Sequence, residues 1–444
     1  MIFENMLATW LVKQRWFAGK GRTVHDLAVV ADTEIVAGDP ALRHLIVTVS
    51  HGATVDSYQL FLGLRSQLPD ELKHARVGED DGIQVYDGLH DSELTQPLLT
   101  AIADGATIGP LRFCPVPGAP IETGAESLVL TGEQSNTSLV FGESAILKVF
   151  RRLAPGPNPD LEVATALAAL GSAHVAEPYG WAETRMEGAT TVLAILSRYL
   201  RAASDGWSLA ATSVRDLYAS AGTSAAHAGG DFAPEANRLG AATAQVHADL
   251  ADAFGTDKLE PEAIRDVAEQ MFRRLDMAIA AVPELARYGD MIGAGYSDLA
   301  KLKAPVQAQR VHGDYHLGQV MRTQTGWVVL DFEGEPASPL AQRRARSSPL
   351  RDVAGMLRSF DYAARHQLIS HPEAVRLAAA ASDWVRRNTD AFCAGYAEGG
   401  GPDPESNAVL LRALQLDKAV YEVMYEARHR PSWLAIPLES LAEF

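Results

Sequence analysis

The spacing of hydrophobic residues changes character three times along the chain. Within residues 1–90, an apolar-periodic stretch around Leu7–Gln14 predicts a short helix. Runs of alternating apolar and polar positions follow, such as LRHLIVTVS at 42–50 and DSYQLFLGL at 56–64. Alternation of period two puts successive side chains on opposite faces of a strand, so these runs predict a small sheet and a separate N-terminal lobe. Between 91 and 200, short apolar helices give way to three strand-like runs: SLVLTG (127–132), SLVFGESAILKVFR (138–151) with a GES turn, and TTVLAILSRYL (190–200). Asn158-Pro159-Asp160 caps an intervening helix, LEVATALAALG, which Gly171 ends, in keeping with polar residues at helix starts and glycine at their ends. From 201 to 444 long amphipathic stretches dominate, at 234–254, 261–282, 372–395 and 404–428. Pro234, Pro261 and Pro372 sit near three of their starts, where a first-turn proline is tolerated. One strand-like pair, QRVHGDYH (309–316) and GWVVLDFE (326–333), interrupts the helices, and 222–233 reads as a loop. The pattern predicts an α+β fold in three parts, 1–90, 91–200 and a mostly helical 201–444.

Composition narrows the function. The 444 residues are 47% hydrophobic and 21% charged, an ordinary globular balance, and 39 Lys+Arg against 56 Asp+Glu leave a net charge of −17. An acidic chain without a basic stripe is a poor ligand for phosphate backbones, so nucleic acid is excluded as a partner. No apolar run approaches the roughly 18 residues of a membrane span. Cys114 and Cys393 are the only cysteines, too few and too far apart for a disulfide framework or a CxxC metal site. The N-terminus lacks the basic and apolar regions of a secretory leader. A cytoplasmic enzyme, monomeric or a small homo-oligomer, is the expectation.

Candidate chemistry gathers in the strand-like interruption. His312-Gly313-Asp314 is followed by Gln319 and then by Asp331 at the end of the next apolar run, which brings two acids and an amide to one edge. A carboxylate that accepts a hydroxyl proton and oxygens that hold Mg²⁺ are the parts phosphoryl transfer needs, because positioning and charge neutralisation do most of that work. Upstream, Lys148 sits inside the apolar strand Ala145–Phe150, a poor place for a lysine unless it meets an anion. Glu162 on the capped helix is its expected ion-pair partner. Lysine on a strand, glutamate on the next helix, then Asp, Asn or Gln, and Asp is the order found in kinase-like folds.

HGDYHLGQV with VVLDFEGEP resembles the Brenner motif and metal-binding aspartate of aminoglycoside phosphotransferase-type kinases. QRWFAGKGR (14–22), GEQSNTSLVF (132–141), NPDLEV (158–163), SPLRDVAGMLRSFDYAA (348–364) and LDKAVYEVMYEARHRPSWLAIPL (416–438) extend the resemblance almost end to end. Over that length the chain resembles the actinobacterial maltokinase family and its maltokinase-like glucosamine kinase relatives. The resemblance implies a bilobal protein-kinase-like fold with an N-terminal cap over 1–90, a nucleotide-binding lobe over 91–200 and a helical lobe over 201–444. It implies ATP and Mg²⁺, with Asp314 as the base on a sugar hydroxyl and Gln319, Asp331 and Glu333 at the metal. Lys148, ordered by Glu162, would hold the phosphates under the loop Gln134, Ser135, Asn136, Thr137 and Ser138. Ser197, Tyr199 and Leu200 would present backbone groups to adenine.

On the acceptor side the resemblance implies His312 and Tyr315 of the loop, with Gln415, Asp417, Glu422 and Trp433 of the C-terminal region; that helix also carries Lys418 and Glu426. Maltokinases show Leu after the HGD triplet and a Tyr-Glu pair before LDKA, whereas this chain has Tyr315 and Leu414-Gln415. Acids around the pocket suit a protonated amino sugar, so glucosamine phosphorylated on its 6-hydroxyl is the expected acceptor. Maltose, phosphorylated on its 1-hydroxyl, is the alternative. Each residue also has a plainer reading: His312 and His316 as backbone-bonded loop imidazoles, Trp207 and Trp433 as core rings. A nucleotide-binding scaffold without transfer is the other class of function, and the presence of Lys148, Asp314, Gln319 and Asp331 argues against it.

Overall fold

The computed structural model describes residues 2–20, 22, 24–52, 54–130, 132, 135–220, 224–335 and 338–444. The chain divides into two compact units, one of residues 1–165 with 176–201, the other of 166–175 with 202–444.

The first unit opens with helix α1 (Ile2–Leu11) and the strands β1 (Asp26–Val36), β2 (Ala41–His51), β3 (Thr54–Arg65), β4 (Arg76–Asp80) and β5 (Ile83–Asp87), which form an antiparallel sheet of order β1-β2-β3-β5-β4. Helix α2 (Ser92–Asp104) and strands β6 (Thr107–Ile108), β7 (Leu111–Pro115), β8 (Ser127–Val129), β9 (Thr137–Phe141) and β10 (Ala145–Val149) follow. After them come β11 (Arg152–Leu153), helix α3 (Pro159–Ala169), β12 (Pro178–Met186) and β13 (Ala189–Arg198). These strands build a second sheet of order β6-β7-β12-β13-β10-β9-β8, while β11 pairs with β3 of the first. Strand β2 is buried on both faces. Leu45, Val47 and Val49 join Trp10, Leu11 and Trp16 in one core; Leu42 and Ile46, on the alternate face, join Phe61, Leu89 and the second sheet in another, as a period of two requires. Gln59 stitches the sheets together, taking the ring of buried His44 on Oε1 at 2.9 Å and donating to the carbonyls of Phe150 and Leu193 at 2.6 and 2.7 Å. The N-terminal sheet thus shares a core with its neighbour.

The second unit is helical: α4 (Gly206–Ala219), α5 (Ala233–Phe254), α6 (Pro261–Ala281), α7 (Gly289–Ala300), α8 (Leu340–Arg343), α9 (Leu350–Arg365), α10 (Ala374–Glu398), α11 (Ala408–His429) and α12 (Ala435–Ser440). Helices α5 and α10 pack backbone to backbone where Gly240 and Gly395 sit; a Cβ at Gly240 would stand 2.1 Å from the Phe392 carbonyl oxygen. Short strands β14 (Ser204–Asp205), β15 (Thr256–Leu259), β16 (Val306–Gln309), β17 (Val320–Arg322) and β18 (Trp327–Val329) lie between the helices. Here the structure corrects the sequence reading. Residues 310–316 are not a strand: β16 ends at Gln309 and pairs with β15, and the partner of β18 is β17. The backbone of 312–317 instead bonds to side chains of α9, which frees it from any sheet.

Candidate active site

Loop 310–316 is held from below by one buried carboxylate. Asp352, in the first turn of α9 and 1% exposed, accepts the backbone N–H of His312 at 2.7 Å and of Gly313 at 2.8 Å. His247 of α5 supports it at 3.1 Å, with its other ring nitrogen on the Tyr396 hydroxyl at 2.8 Å. Burial pushes Asp352 up, but His247, His312 and the backbone donors outweigh it and the carboxyl stays below its usual range. His312 is itself wedged: Nε2 meets the Leu330 carbonyl at 2.8 Å, Nδ1 accepts the Asp314 N–H at 3.3 Å, and the ring packs on Tyr315 and Phe332. Those partners place a proton on Nε2 and leave Nδ1 as the acceptor. Gly313 takes φ +85°, a conformation open to glycine at little cost. Helix α9 comes so close that a Cβ on Gly355 would lie 2.5 Å from the Tyr315 carbonyl oxygen, and Leu317 N–H donates to Ser359 Oγ at 3.0 Å.

The carboxyl of Asp314 emerges from this platform beside Lys418 of α11, Nζ to Oδ1 3.2 Å. Lys418 is also 3.8 Å from Glu335, which accepts the Tyr421 hydroxyl at 2.6 Å. Burial pushes Asp314 up and Lys418 down; for each, the neighbouring opposite charge outweighs burial, so Asp314 lies below its ordinary value and Lys418 above. Both remain charged at neutral pH. His316, with Nδ1 accepting from the Gly318 N–H at 3.0 Å, is pushed down by burial and stays neutral.

Next to Asp314, the 3-10 turn Leu317–Gln319 and the end of β18 bring Gln319 to Asp331, Nε2 to Oδ2 3.2 Å. Asp331 has φ +64°, a left-handed position that aspartate tolerates better than most residues. An oxygen of Asp331 and one of Glu333 lie within 4.8 Å of each other. A pair of carboxylates beside an amide is a hard-oxygen donor set, the kind that suits Mg²⁺.

A cavity of about 680 Å³ opens over Asp314. Its long wall is α11, which contributes Lys418, Tyr421, Glu422, Tyr425 and Glu426; Trp207, Tyr362 and Trp433 add rings. Glu422 is gripped through Oε2 by Arg358 Nε and Nη2 at 2.9 and 2.7 Å, and Arg358 Nη1 reaches Asp361 and Ser440. The predicted acceptor residues separate here. Glu422 and Trp433 line the cavity. Asp417 does not: it faces α6, where it accepts from Arg274 Nε at 2.8 Å. The acceptor-site place expected of Asp417 is therefore corrected, because one residue along a helix turns the side chain by about 100°. Gln415 is also outside the cavity wall, and Tyr315 is buried with its hydroxyl on Thr243 at 2.8 Å. His312 acts through the backbone rather than facing the cavity.

In the first unit, Lys148 lies on β10 in register with Ser138 and Ile195. Its Nζ pairs with Asp160 Oδ2 at 2.8 Å; Asp160 and the expected partner Glu162 both lie in the first turn of α3. Asn158 caps that helix, accepting the Leu161 N–H at 3.0 Å. Glu162 borders a cavity of about 480 Å³ with Asn158, Thr165 and Trp181. Of the expected phosphate loop, Gln134 lies outside the described residues, and Ser135 and Asn136 precede β9. Thr137 and Ser138 already belong to β9 and are buried, and the Thr137 hydroxyl accepts from Arg151 Nε at 2.8 Å. Strand pairing holds the backbone of both, and the Thr137 hydroxyl, while accepting from Arg151, keeps its own proton to donate. Ser197 pairs with Ile146 at the end of β13; Tyr199 N–H donates to the Ser144 carbonyl at 2.9 Å, and Leu200 follows.

Sequence reasoning gave no role to Asp352, Asp160, Glu335 or Tyr421, and named Lys418 only as a neighbour. Lys418, Glu422 and Glu426 do recur at intervals of four, the signature of one helix face, and that signal was available.

Comparison with known proteins identifies the family. The family model for the maltokinase N-terminal cap domain matches residues 10–91, and that of the phosphotransferase enzyme family matches residues 127–342. A glucosamine kinase of Streptacidiphilus jiangxiensis is 33% identical over 347 residues, 73% of this chain and 74% of the relative. A glucosamine kinase of Mycolicibacterium smegmatis is 31% identical over 69% of this chain and 77% of its own. The solved structure of a glucosamine kinase in complex with glucosamine, ADP and inorganic phosphate superposes with a TM-score of 0.68 at 25% identity, covering 99% of this chain and 98% of that one. The chain belongs to the phosphotransferase enzyme family, with the aminoglycoside phosphotransferase-type kinase fold, in the branch that carries a maltokinase N-terminal cap.

Proposed function

We propose that this chain is an ATP-dependent glucosamine kinase that forms glucosamine 6-phosphate. The observation that carries this reading is the cavity over the Asp314–Lys418 pair, which joins a poised carboxylate to the acids Glu335 and Glu422 and to aromatic rings. The names of the relatives support it. A protonated amino sugar gives those acids a cationic partner, and its ring face stacks on indole. Maltose carries no cation and adds no charge-assisted bond to them. A cytoplasmic location, where ATP is supplied, belongs to the same reading.

In this reading the sugar 6-oxygen attacks the γ-phosphorus of ATP, the bond to the β,γ-bridging oxygen breaks, and the hydroxyl proton passes to Asp314. Lys418 keeps that carboxylate ionised and aimed. Glu422, held by Arg358, takes the ammonium in place of Asp417, and Trp433 lies against the ring. Lys148, steadied by Asp160 and Glu162, holds the nucleotide phosphates, Ser135 and Asn136 lie near them, and backbone groups of Ser197 to Leu200 meet adenine. Asp331, Glu333 and Gln319 would hold Mg²⁺, which when bound neutralises phosphate charge.

Asp314→Asn tests the assignment. The amide has the same shape and cannot take the proton, so turnover with glucosamine falls on the order of 10² or more while ATP binding, read by calorimetry, persists. A variant keeping a tenth of parent turnover removes Asp314 from the role of base.

A further inference from the structure

The acceptor cavity is larger than one sugar. A hexosamine displaces on the order of 200 Å³, six or seven waters at about 30 Å³ each, against about 680 Å³ available. The surplus has a direction, because α11 runs along the wall from the transfer end outward. At a rise of 1.5 Å per residue, Glu422 lies about 6 Å and Glu426 about 12 Å along the helix axis from Lys418, which marks Asp314. A glucosamine with its 6-hydroxyl at Asp314 has C1 and C2 on the far side of its ring. The amine then falls near the Glu422 turn, and anything bonded to O1 continues toward Glu426.

The Glu426 site is unfinished without a ligand. Its side chain is 1% exposed and lines the cavity. Oε1 accepts from the Tyr362 hydroxyl at 3.2 Å and from Arg430 Nη2 at 2.7 Å, whereas Oε2 is buried with no hydrogen-bond partner among the described residues. Buried carboxylate oxygens are ordinarily satisfied. Glu422, one turn closer to Asp314, already has Arg358. Around Glu426, the Arg430 guanidinium stacks on Trp433 at 4.5 Å, and Tyr362 lies against the same indole. An acid missing one donor beside aromatic rings suits a sugar ring that brings a cation.

We propose that Glu426 forms a second acceptor subsite for an amine-bearing group linked to O1 of glucosamine, so that amino-disaccharides are substrates, phosphorylated on the ring nearer Asp314. This rests on the glucosamine kinase reading. The test compares kcat/KM for glucosamine, for the β-1,4-linked glucosamine disaccharide and for benzyl β-D-glucosaminide, which fills the space without a second amine, in the parent and in Glu426→Gln. The disaccharide is expected to exceed both other acceptors by on the order of tenfold, the worth of one charge-assisted hydrogen bond. Glu426→Gln should lower the ratio of disaccharide to glucosamine by a similar factor; a loss of folded protein would lower both alike and leave the ratio unchanged. Phosphorylation of glucosamine but not of the disaccharide overturns the subsite and leaves the kinase reading standing, as does an unchanged ratio in soluble, folded Glu426→Gln. Phosphorylation of neither sugar overturns both.

Discussion

Lys418→Met is the most informative single change in the transfer site. Methionine keeps the length and much of the apolar stem packing while removing the charge. Lys418 Nζ lies 3.2 Å from Asp314 Oδ1 and 3.8 Å from Glu335 Oε2. At an effective dielectric of about 20, a unit pair at 3.2 Å is worth about 5 kcal/mol. The two side chains are 27% and 23% exposed, and solvent screening brings the surviving interaction to about 2–3 kcal/mol. Without it, burial and the neighbouring Glu335 act on Asp314 unopposed from this side, and both favour the protonated form. A protonated base cannot accept the sugar proton. The acid limb of the kcat/KM profile for glucosamine therefore moves to higher pH, by about 1.5–2 pH units for 2–3 kcal/mol. The assay is ATP consumption coupled to ADP detection across pH 5–9, with intact folding confirmed by circular dichroism. An acid limb at the parent's position, with parent turnover at its plateau, would refute the claim that Lys418 holds Asp314 ionised.

Two further outcomes follow from the geometry. Asp417→Asn leaves Arg274 without its carboxylate and should cost about 1–3 kcal/mol of stability, seen as a lower melting temperature, with the preference for glucosamine over glucose kept; a lost preference would return Asp417 to the acceptor site. Buried His44 has its imidazole pushed down to about 4 by burial, so the unfolded chain binds a proton that the folded chain refuses. Stability is then complete above about pH 6.5 and declines as pH falls toward 4, by about 3 kcal/mol in all. Urea midpoints at pH 7 and 4.5 in the parent and in His44→Gln check this: the fall should shrink in the variant, and an equal fall in both would contradict it.

The parts of this fold that were legible in the sequence are those whose signal is local. The strands β2 and β3 stand out as apolar runs of strand length, Asn158 precedes its helix as a cap, and the His312-Gly313-Asp314, Gln319 and Asp331 spacing lies within twenty residues. What was hidden depends on contacts between distant segments. Helix α9 shows an apolar stripe at Leu350, Val353, Leu357 and Phe360, but the burial of its Asp352, Arg358, Asp361 and Arg365 rests on ion pairs formed only in the folded state. Asp352 reaches the loop forty residues upstream, and that hook turns 310–316 away from the strand its apolar residues suggest. Lys418 meets Asp314 across 104 residues. Placing Asp417 in the acceptor site beside Glu422 was an error of phase on a helix that was otherwise located well. Thr137 was placed in a loop, and Ser138 both in that loop and at the head of the strand run, because the start of β9 is set by pairing with β10, which the local sequence leaves open by a residue or two.

The most direct measurement is the acceptor specificity of the purified full-length chain with ATP and Mg²⁺, taking kcat/KM for glucosamine, glucose, N-acetylglucosamine and maltose side by side and identifying the product by ³¹P NMR. The site described here predicts glucosamine as the best acceptor, with the phosphoryl group on the 6-oxygen. Glucose, which lacks the ammonium read by Glu422, should be weaker by about tenfold or more. A higher kcat/KM for maltose, or phosphate on a 1-oxygen, would contradict the account.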